Sequence, residues 1–396
     1  MFLVAAALAL APHVFVGGEA PVRVGARGTL PACSIVSARP NFLTEGPVDE
    51  ALHAPSLGTM RAVMLFADFP DAPATESTDA LLATIAPETQ EWLHEVSQGR
   101  FALDVMPVHR WVRMPLPSSA YGLAIPTFAA QRAYAEELVQ LVDADVDFSA
   151  FDTILIASPP AAAIPNSPTF LAYPGGGVRT NEKELRWGVT FGNDVRVPQW
   201  GGRILAHETL HMLGLPDLYR FGLGFPDAFF DAGGWDHMSW LRPAAHLLAW
   251  HKRKLGWIDE SQVVCAQKTI DVTLHASAAS DGVKAALVPI DADTMLVAEL
   301  REPVAFDARL CDSGVLIYIV DATTFTGNGP VVVQAASNAI NSECGPKFEA
   351  TYDRRAGKIA TFTHPSATIE VHADGVVRAL LPNKRSAARS ASKMLA

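Results

Sequence analysis

With 396 residues the chain is long enough for two domains and a sizeable core. Hydrophobic residues at 49% and charged residues at 18% give a globular balance that excludes a chain disordered throughout and confines disorder to the ends. The formal net charge of -11 argues against nucleic acid or an anionic membrane surface as a partner, since either would repel the chain at long range.

Residues 1–20, MFLVAAALALAPHVFVGGEA, read as a signal peptide, which predicts a secreted, extracellular protein. The apolar run from Phe2 to Ala11 is too short to span a bilayer, and Ala9 with Ala11, or Gly18 with Ala20, offers a cleavage site, although no positive residue precedes the run. No later apolar stretch reaches the length of a membrane helix, so stable membrane insertion is not expected. Residues 21–58 are rich in Pro, Gly, Ala and Ser without a sustained period and read as a leader or propeptide, with order beginning near Met60.

A mixed α/β domain is expected over 59–260. Arg61 to Phe69 and Phe151 to Ala157 are β-rich apolar runs closed by prolines, and both read as buried strands. Between them, Glu91 to Ser97 reads as a helix end closed by Gly99, and Tyr134, Leu138, Leu141 and Val142 fall at helical spacing.

Ile204 to Leu213 then has the period of a helix, with Ala206, Leu210 and Leu213 as its packing stripe. His207 and His211 project one turn apart from another face, where two imidazoles can share one Zn²⁺, and Glu208 stands beside them to take a proton from water. Gly214 stops the helix with a left-handed cap, and Leu215-Pro216-Asp217 turns the chain back so that Asp217 can supply the third ligand. The string HETLHMLGLPD fits the metzincin pattern with Asp in place of its last His. Downstream, in GWDHMS, a methionine beside an aromatic would ordinarily be core packing, but after such a helix Met238 reads as the methionine turn beneath the metal. His237 and His251 read as satisfied or solvated histidines outside the site. Tyr219 could orient a substrate or simply pack under the loop. Ca²⁺ is a possible further ion in a secreted enzyme, but no Asp-rich loop of the EF-hand pattern occurs.

After Trp257 short β-branched runs take over, at 269–274, 285–290, 295–300, 314–320, 331–334, 367–371 and 376–381. Their spacing predicts an antiparallel sandwich over 261–382, with Asp374-Gly375 as a hairpin turn and a boundary near 258–264. The tail, 383–396, reads as frayed. Cys33, Cys265, Cys311 and Cys344 are compatible with two disulfides in three connectivities, and no Cys-x-x-Cys pair suggests a metal or redox motif. Cys33 could pair with whichever cysteine one disulfide of the β domain leaves over, stay a free spectator, or latch the metal with its thiolate.

Over roughly residues 60 to 320 the chain resembles the immune inhibitor A family of secreted metallopeptidases. The resemblance rests on AVMLFADFPD, EWLHEVSQGRFALDV, HETLHMLGLPD, GGWDHMSW, LLAWHKRKLGWI, MLVAELRE and SGVLIYIVDA. It departs at His237, where an apolar residue is expected, and at Leu210, where the family often has Gly. The resemblance implies an α/β (α+β) metzincin-like catalytic domain followed by an all-β sandwich-like domain. It further implies that His207, His211 and Asp217 bind zinc, that Glu208 is the general base, and that the substrates are proteins or peptides. Two rivals remain, a non-catalytic secreted binding protein on the same fold and a zinc hydrolase of a non-peptide substrate.

Overall fold

The computed structural model of the chain describes residues 14–18, 33–35, 43–341, 343–352, 359–373 and 375–382. The expected cleavage sites at Ala9, Ala11 and Ala20, most of the leader before Leu43, Asp374 and the tail from Asn383 lie outside the described residues.

The first half of the chain contributes β1 (Val14–Gly17), β2 (Gly58–Asp68), α1 (Thr78–Ile85), α2 (Pro87–Val96), β3 (Phe101–Arg113), α3 (Phe128–Val142), β4 (Thr153–Ala157), β5 (Thr169–Ala172), a small hairpin of β6 (Val178–Arg179) and β7 (Glu184–Leu185), β8 (Trp187–Thr190) and α4 (Gly201–Leu213). Six of these strands form one sheet in the order β1-β5-β8-β4-β2-β3. β2, β3, β4 and β8 run parallel, and β5 is antiparallel to β8. A parallel sheet is covered on both faces, which is why β2 reads as a nearly unbroken apolar run. Val63, Leu65 and Ala67 of β2 share a core with Tyr134 and Leu138 of α3. Ala62, Met64 and Phe66 share the other core with Leu81 of α1, Trp92 of α2 and Leu210 of α4. Side-chain caps start two of the helices, Ser77 accepting from Ala80 N–H and Thr127 from Ala130 N–H.

The second half begins with α5 (Ala249–Lys254) and then builds β9 (Val263–Cys265), β10 (Ile270–Thr273), β11 (Ala285–Pro289), β12 (Thr294–Arg301), β13 (Gly314–Asp321), β14 (Val331–Val333), a small hairpin of β15 (Ile340–Asn341) and β16 (Gly345–Pro346), β17 (Ala360–His364), β18 (Ala367–Val371) and β19 (Val376–Leu380). Two sheets result, β14-β13-β12-β11-β9 and β10-β19-β18-β17. Leu296, Ala298, Val315 and Ile317 of the first sheet meet Ile369, Val371 and Val377 of the second in a shared core. The expected antiparallel pairing holds except at β9, which runs parallel to β11. Gly375, at φ +80, closes the β18–β19 hairpin. The fold is thus mixed α/β and mostly sheet.

The two halves share a core. Strand alternation turns Met295, Val297, Leu316 and Tyr318 away from the sandwich and into the cluster that holds Leu210 of α4 and Met238. Polar groups cross the same seam. Glu299 accepts from Ala249 N–H and from the Tyr318 hydroxyl, both at 2.7 Å, and Arg301 donates to the Trp235 carbonyl at 2.8 Å.

The expectation that order begins near Met60 needs correction. Residues 43–57 are built into the body, with Leu43, Glu45, Leu52, His53 and Ala54 all buried. They pack as irregular chain and so leave no period in the sequence. Val14–Gly17, inside the segment read as a signal peptide, forms an edge strand parallel to β5. Cys33 pairs with Cys265 and Cys311 with Cys344, so the free-thiol and latch alternatives for Cys33 do not hold.

Candidate metal centre

Helix α4 is buried over nearly its whole length. It ends where Gly214 takes φ +106, a conformation disfavoured for residues with a Cβ; a Cβ there would also lie 3.1 Å from Val48 of the leader. The chain then doubles back, and Asp217 arrives beside the two histidines. His207 Nε2 and His211 Nε2 stand 3.1 Å apart, and Asp217 Oδ1 lies 3.0 Å from the first and 3.2 Å from the second.

What the other ring nitrogens do decides the chemistry. His207 Nδ1 donates to the His237 carbonyl at 3.2 Å and His211 Nδ1 to the Leu215 carbonyl at 2.8 Å. With those protons committed to backbone acceptors, neutral imidazoles present only Nε2 lone pairs to each other and to the carboxylate oxygen. Three electron-rich atoms this close fit a shared cation, and their spacing suits tetrahedral bonds of about 2.0 Å, which subtend edges of about 3.3 Å. Glu208 also offers an oxygen within 4.8 Å of both imidazoles, so His207, Glu208 and His211 form a buried group that could hold a metal ion.

Glu208 is held from β5. The backbone N–H of Thr169 donates to Glu208 Oε2 at 2.9 Å and its hydroxyl donates to the same oxygen at 2.7 Å. Burial pushes the Glu208 carboxyl well above the usual range, helped by the charges of Asp217 and Asp194 and opposed by the Thr169 bonds. For Asp217 burial acts in the same direction, but His211 and His207, when their rings carry a second proton, overcome it through their charges and hydrogen bonds and hold the group well below its ordinary range.

Met238 is fully buried in the core cluster that includes α4. Its turn is fixed by Asp236, which accepts from Met238 N–H, Leu248 N–H and His251 Nδ1–H at 2.7, 2.7 and 2.9 Å. The Met238 carbonyl accepts from Leu218 N–H at 2.9 Å, joining the turn to the loop that carries Asp217. His237 donates from Nε2 to the Arg203 carbonyl at 2.8 Å and packs on Trp92, a core histidine. Burial depresses its pKa to about 3. Tyr219 stacks on His207 with ring centroids 6.2 Å apart, and its hydroxyl bonds to Asp217.

A recess opens beside the centre, walled by Trp200, Ile204, Phe229, Trp240 and Leu241, with His207, Glu208, Tyr219, Asp194 and Ser239 completing its lining. Ser239 Oγ and Trp240 Nε1 are buried there without a hydrogen-bond partner. The chain matches no protein-family model and no curated protein.

The structure therefore brings together every residue that the helix motif and its following loop single out, His207, Glu208, His211 and Asp217, with Met238 in the core alongside. Two residues of the site have no sequence signal. Thr169 lies 39 positions from Glu208, and Thr326, whose hydroxyl donates to Asp217 Oδ2 at 3.0 Å, lies 109 positions from its partner. No local period points at either.

Proposed function

We propose that the chain is a secreted zinc-dependent endopeptidase, the reading that its likeness to the immune inhibitor A metallopeptidases implies. The observation that carries the proposal is the convergence of His207 Nε2, His211 Nε2 and Asp217 Oδ1 within 3.0 to 3.2 Å, with the Glu208 carboxylate beside them. These three atoms would hold the ion. When bound, zinc supplies a Lewis acid for the scissile carbonyl and lowers the pKa of water. Glu208 takes the proton as the water oxygen adds to the carbonyl carbon, then returns it to the amine nitrogen as the carbon–nitrogen bond breaks. Thr169 keeps that carboxylate aimed while the proton comes and goes.

The apolar recess fits a large side chain next to the scissile bond, and Phe225, 41% exposed and packed on Phe229 and Trp240, extends its apolar surroundings. Two disulfides suit an oxidising, extracellular setting, and no described helix is long and apolar enough to cross a membrane.

The test is elemental analysis of the purified chain together with casein cleavage by wild type and Glu208→Gln. About one zinc per chain is expected in both proteins. The variant should lose several powers of ten in rate, because a positioned general base alone is worth roughly 10² to 10⁴. Zinc-free wild-type protein, or undiminished cleavage by the variant, would overturn the proposal.

A further inference from the structure

The third metal ligand is held by the second half of the chain. Between β13 and β14 the loop 322–330 leaves the five-stranded sheet and wedges between two segments of the first half. On one side Thr326 N–H donates to the Leu43 carbonyl at 3.0 Å and Phe325 bridges to Thr44. On the other, Asn328 bridges to Arg220, and Phe221 N–H donates to the Gly327 carbonyl at 2.9 Å. The approach is so close that a Cβ on Gly327, at φ +73, would lie 2.1 Å from the Phe221 ring.

At the tip of this wedge a single hydroxyl closes on a single residue. Thr326 Oγ1 accepts from the Asp217 backbone N–H at 2.9 Å and donates to Asp217 Oδ2 at 3.0 Å. Asp217 is fully buried, so neither group has water as an alternative. With Oδ2 turned to Thr326, the other oxygen, Oδ1, is left facing both imidazoles. The Tyr219 hydroxyl also bonds to the carboxylate.

We propose that Thr326 is a positioning residue for the metal centre. Its hydroxyl sets the rotamer of Asp217 so that one carboxylate oxygen completes the ligand triangle, and the β-sheet loop thereby tunes metal affinity. The inference rests on reading His207, His211 and Asp217 as metal ligands. Outer partners of this kind are worth about 10- to 100-fold in metal affinity.

Metal-free full-length protein is titrated with Zn²⁺ in competition with a chromophoric chelator, for wild type, Thr326→Val, Thr326→Ser and Thr324→Val. Thr326→Val keeps the shape but removes both hydrogen bonds and should raise the Kd for zinc about 10- to 100-fold. Thr326→Ser keeps the hydroxyl and should stay within about threefold of wild type. Thr324, in the same loop, donates to Asp321 Oδ2 at the end of β13, so loss of its hydroxyl should leave zinc affinity unchanged. Thermal unfolding of the metal-free forms checks that each is folded, and if Thr326→Val is not, Thr326→Ala reads the same lost hydroxyl with less bulk. Equal affinity of Thr326→Val and wild type overturns the inference, as does an equal loss in Thr324→Val. A folded wild type that takes up no zinc is a different result, which removes the metal reading itself and this inference with it.

Discussion

Replacing His251 with Gln should destabilise the folded chain by about 3 to 5 kcal/mol, the cost of breaking a buried ion pair by removing one partner. His251 is fully buried between two carboxylates, Nδ1 at 2.9 Å from Asp236 Oδ2 and Nε2 at 2.8 Å from Glu45 Oε1. Burial alone would lower its pKa, but the charges of Asp236 and Glu45 raise it from 6.5 to about 10. That rise caps its contribution at roughly 5 kcal/mol. The lower end is the better expectation, because Lys254 still lies 3.8 Å from Glu45, Trp250 Nε1 still donates to it, and two backbone N–H groups still serve Asp236. A loss of about 3 kcal/mol lowers the folded-to-unfolded ratio more than a hundredfold.

The dependence on pH gives the test its sign. His251 binds its proton more tightly when folded, so its stabilisation is complete below pH 6.5 and is lost as pH rises toward about 10. Glu45 and Asp236 are held below their ordinary 4.5 and 3.8, so their contribution is present above those values and is lost as pH falls through the lowered ones. The assay is urea unfolding followed by tryptophan fluorescence at several pH values. The difference between wild type and His251→Gln should be largest near pH 5 to 6.5 and shrink toward pH 10. A variant as stable as wild type at pH 6, or a difference that persists unchanged at pH 10, would refute the charged clamp.

Cys33→Ser opens the bond to Cys265 across a separation of 232 residues and should cost about 2 to 4 kcal/mol, seen as a lower unfolding temperature without new proteolytic activity. Unaltered thermal stability would contradict the tie between leader and body. Trp240→Ala removes a wall of the recess and should lower kcat/KM about tenfold or more for peptides with an aromatic or large aliphatic residue at the scissile bond, while peptides with alanine there change little. An equal loss across the peptide series would separate the recess from substrate choice.

Much of the centre was legible because its chemistry is local. His207, Glu208 and His211 sit within one and a half turns of helix, Gly214 marks the stop, and Asp217 follows within a few residues, so spacing alone places them. β10 to β14, β18 and β19 announce themselves by short β-branched runs and turn residues, and β2 and β4 by unbroken apolar runs, whereas β15, β16 and β17 fall outside every run read from the sequence. Other elements leave no such trace. β5 and β8 are four residues each, mostly buried, and too short for a period to show. The leader from 43 to 57 is ordered by contacts with residues far along the chain, as when Ala54 N–H donates to the Met212 carbonyl at 2.8 Å. The boundary read near 258–264 separates two sequence patterns, yet one of the cores runs across it. Alternation tells which side chains of a strand share a face, but not what that face meets.

What the face meets determines how the centre works. Each group around it takes its outer support from a different stretch of chain. His207 leans on the carbonyl of His237 and His211 on that of Leu215, while Asp217 leans on Thr326 and Glu208 on Thr169. The Met238 turn is anchored by Asp236, then His251, then Glu45 of the leader. Three electron-rich atoms within 3.2 Å are unfavourable until a cation joins them, so the body must hold them together against their repulsion. Under the proposed function, binding of the ion would draw on the packing of residues 43–57, α4 and the five-stranded sheet at once, and metal affinity would report on the integrity of all three. The sandwich half thereby reaches the centre, since loop 322–330 supplies the hydroxyl that bonds Asp217 Oδ2.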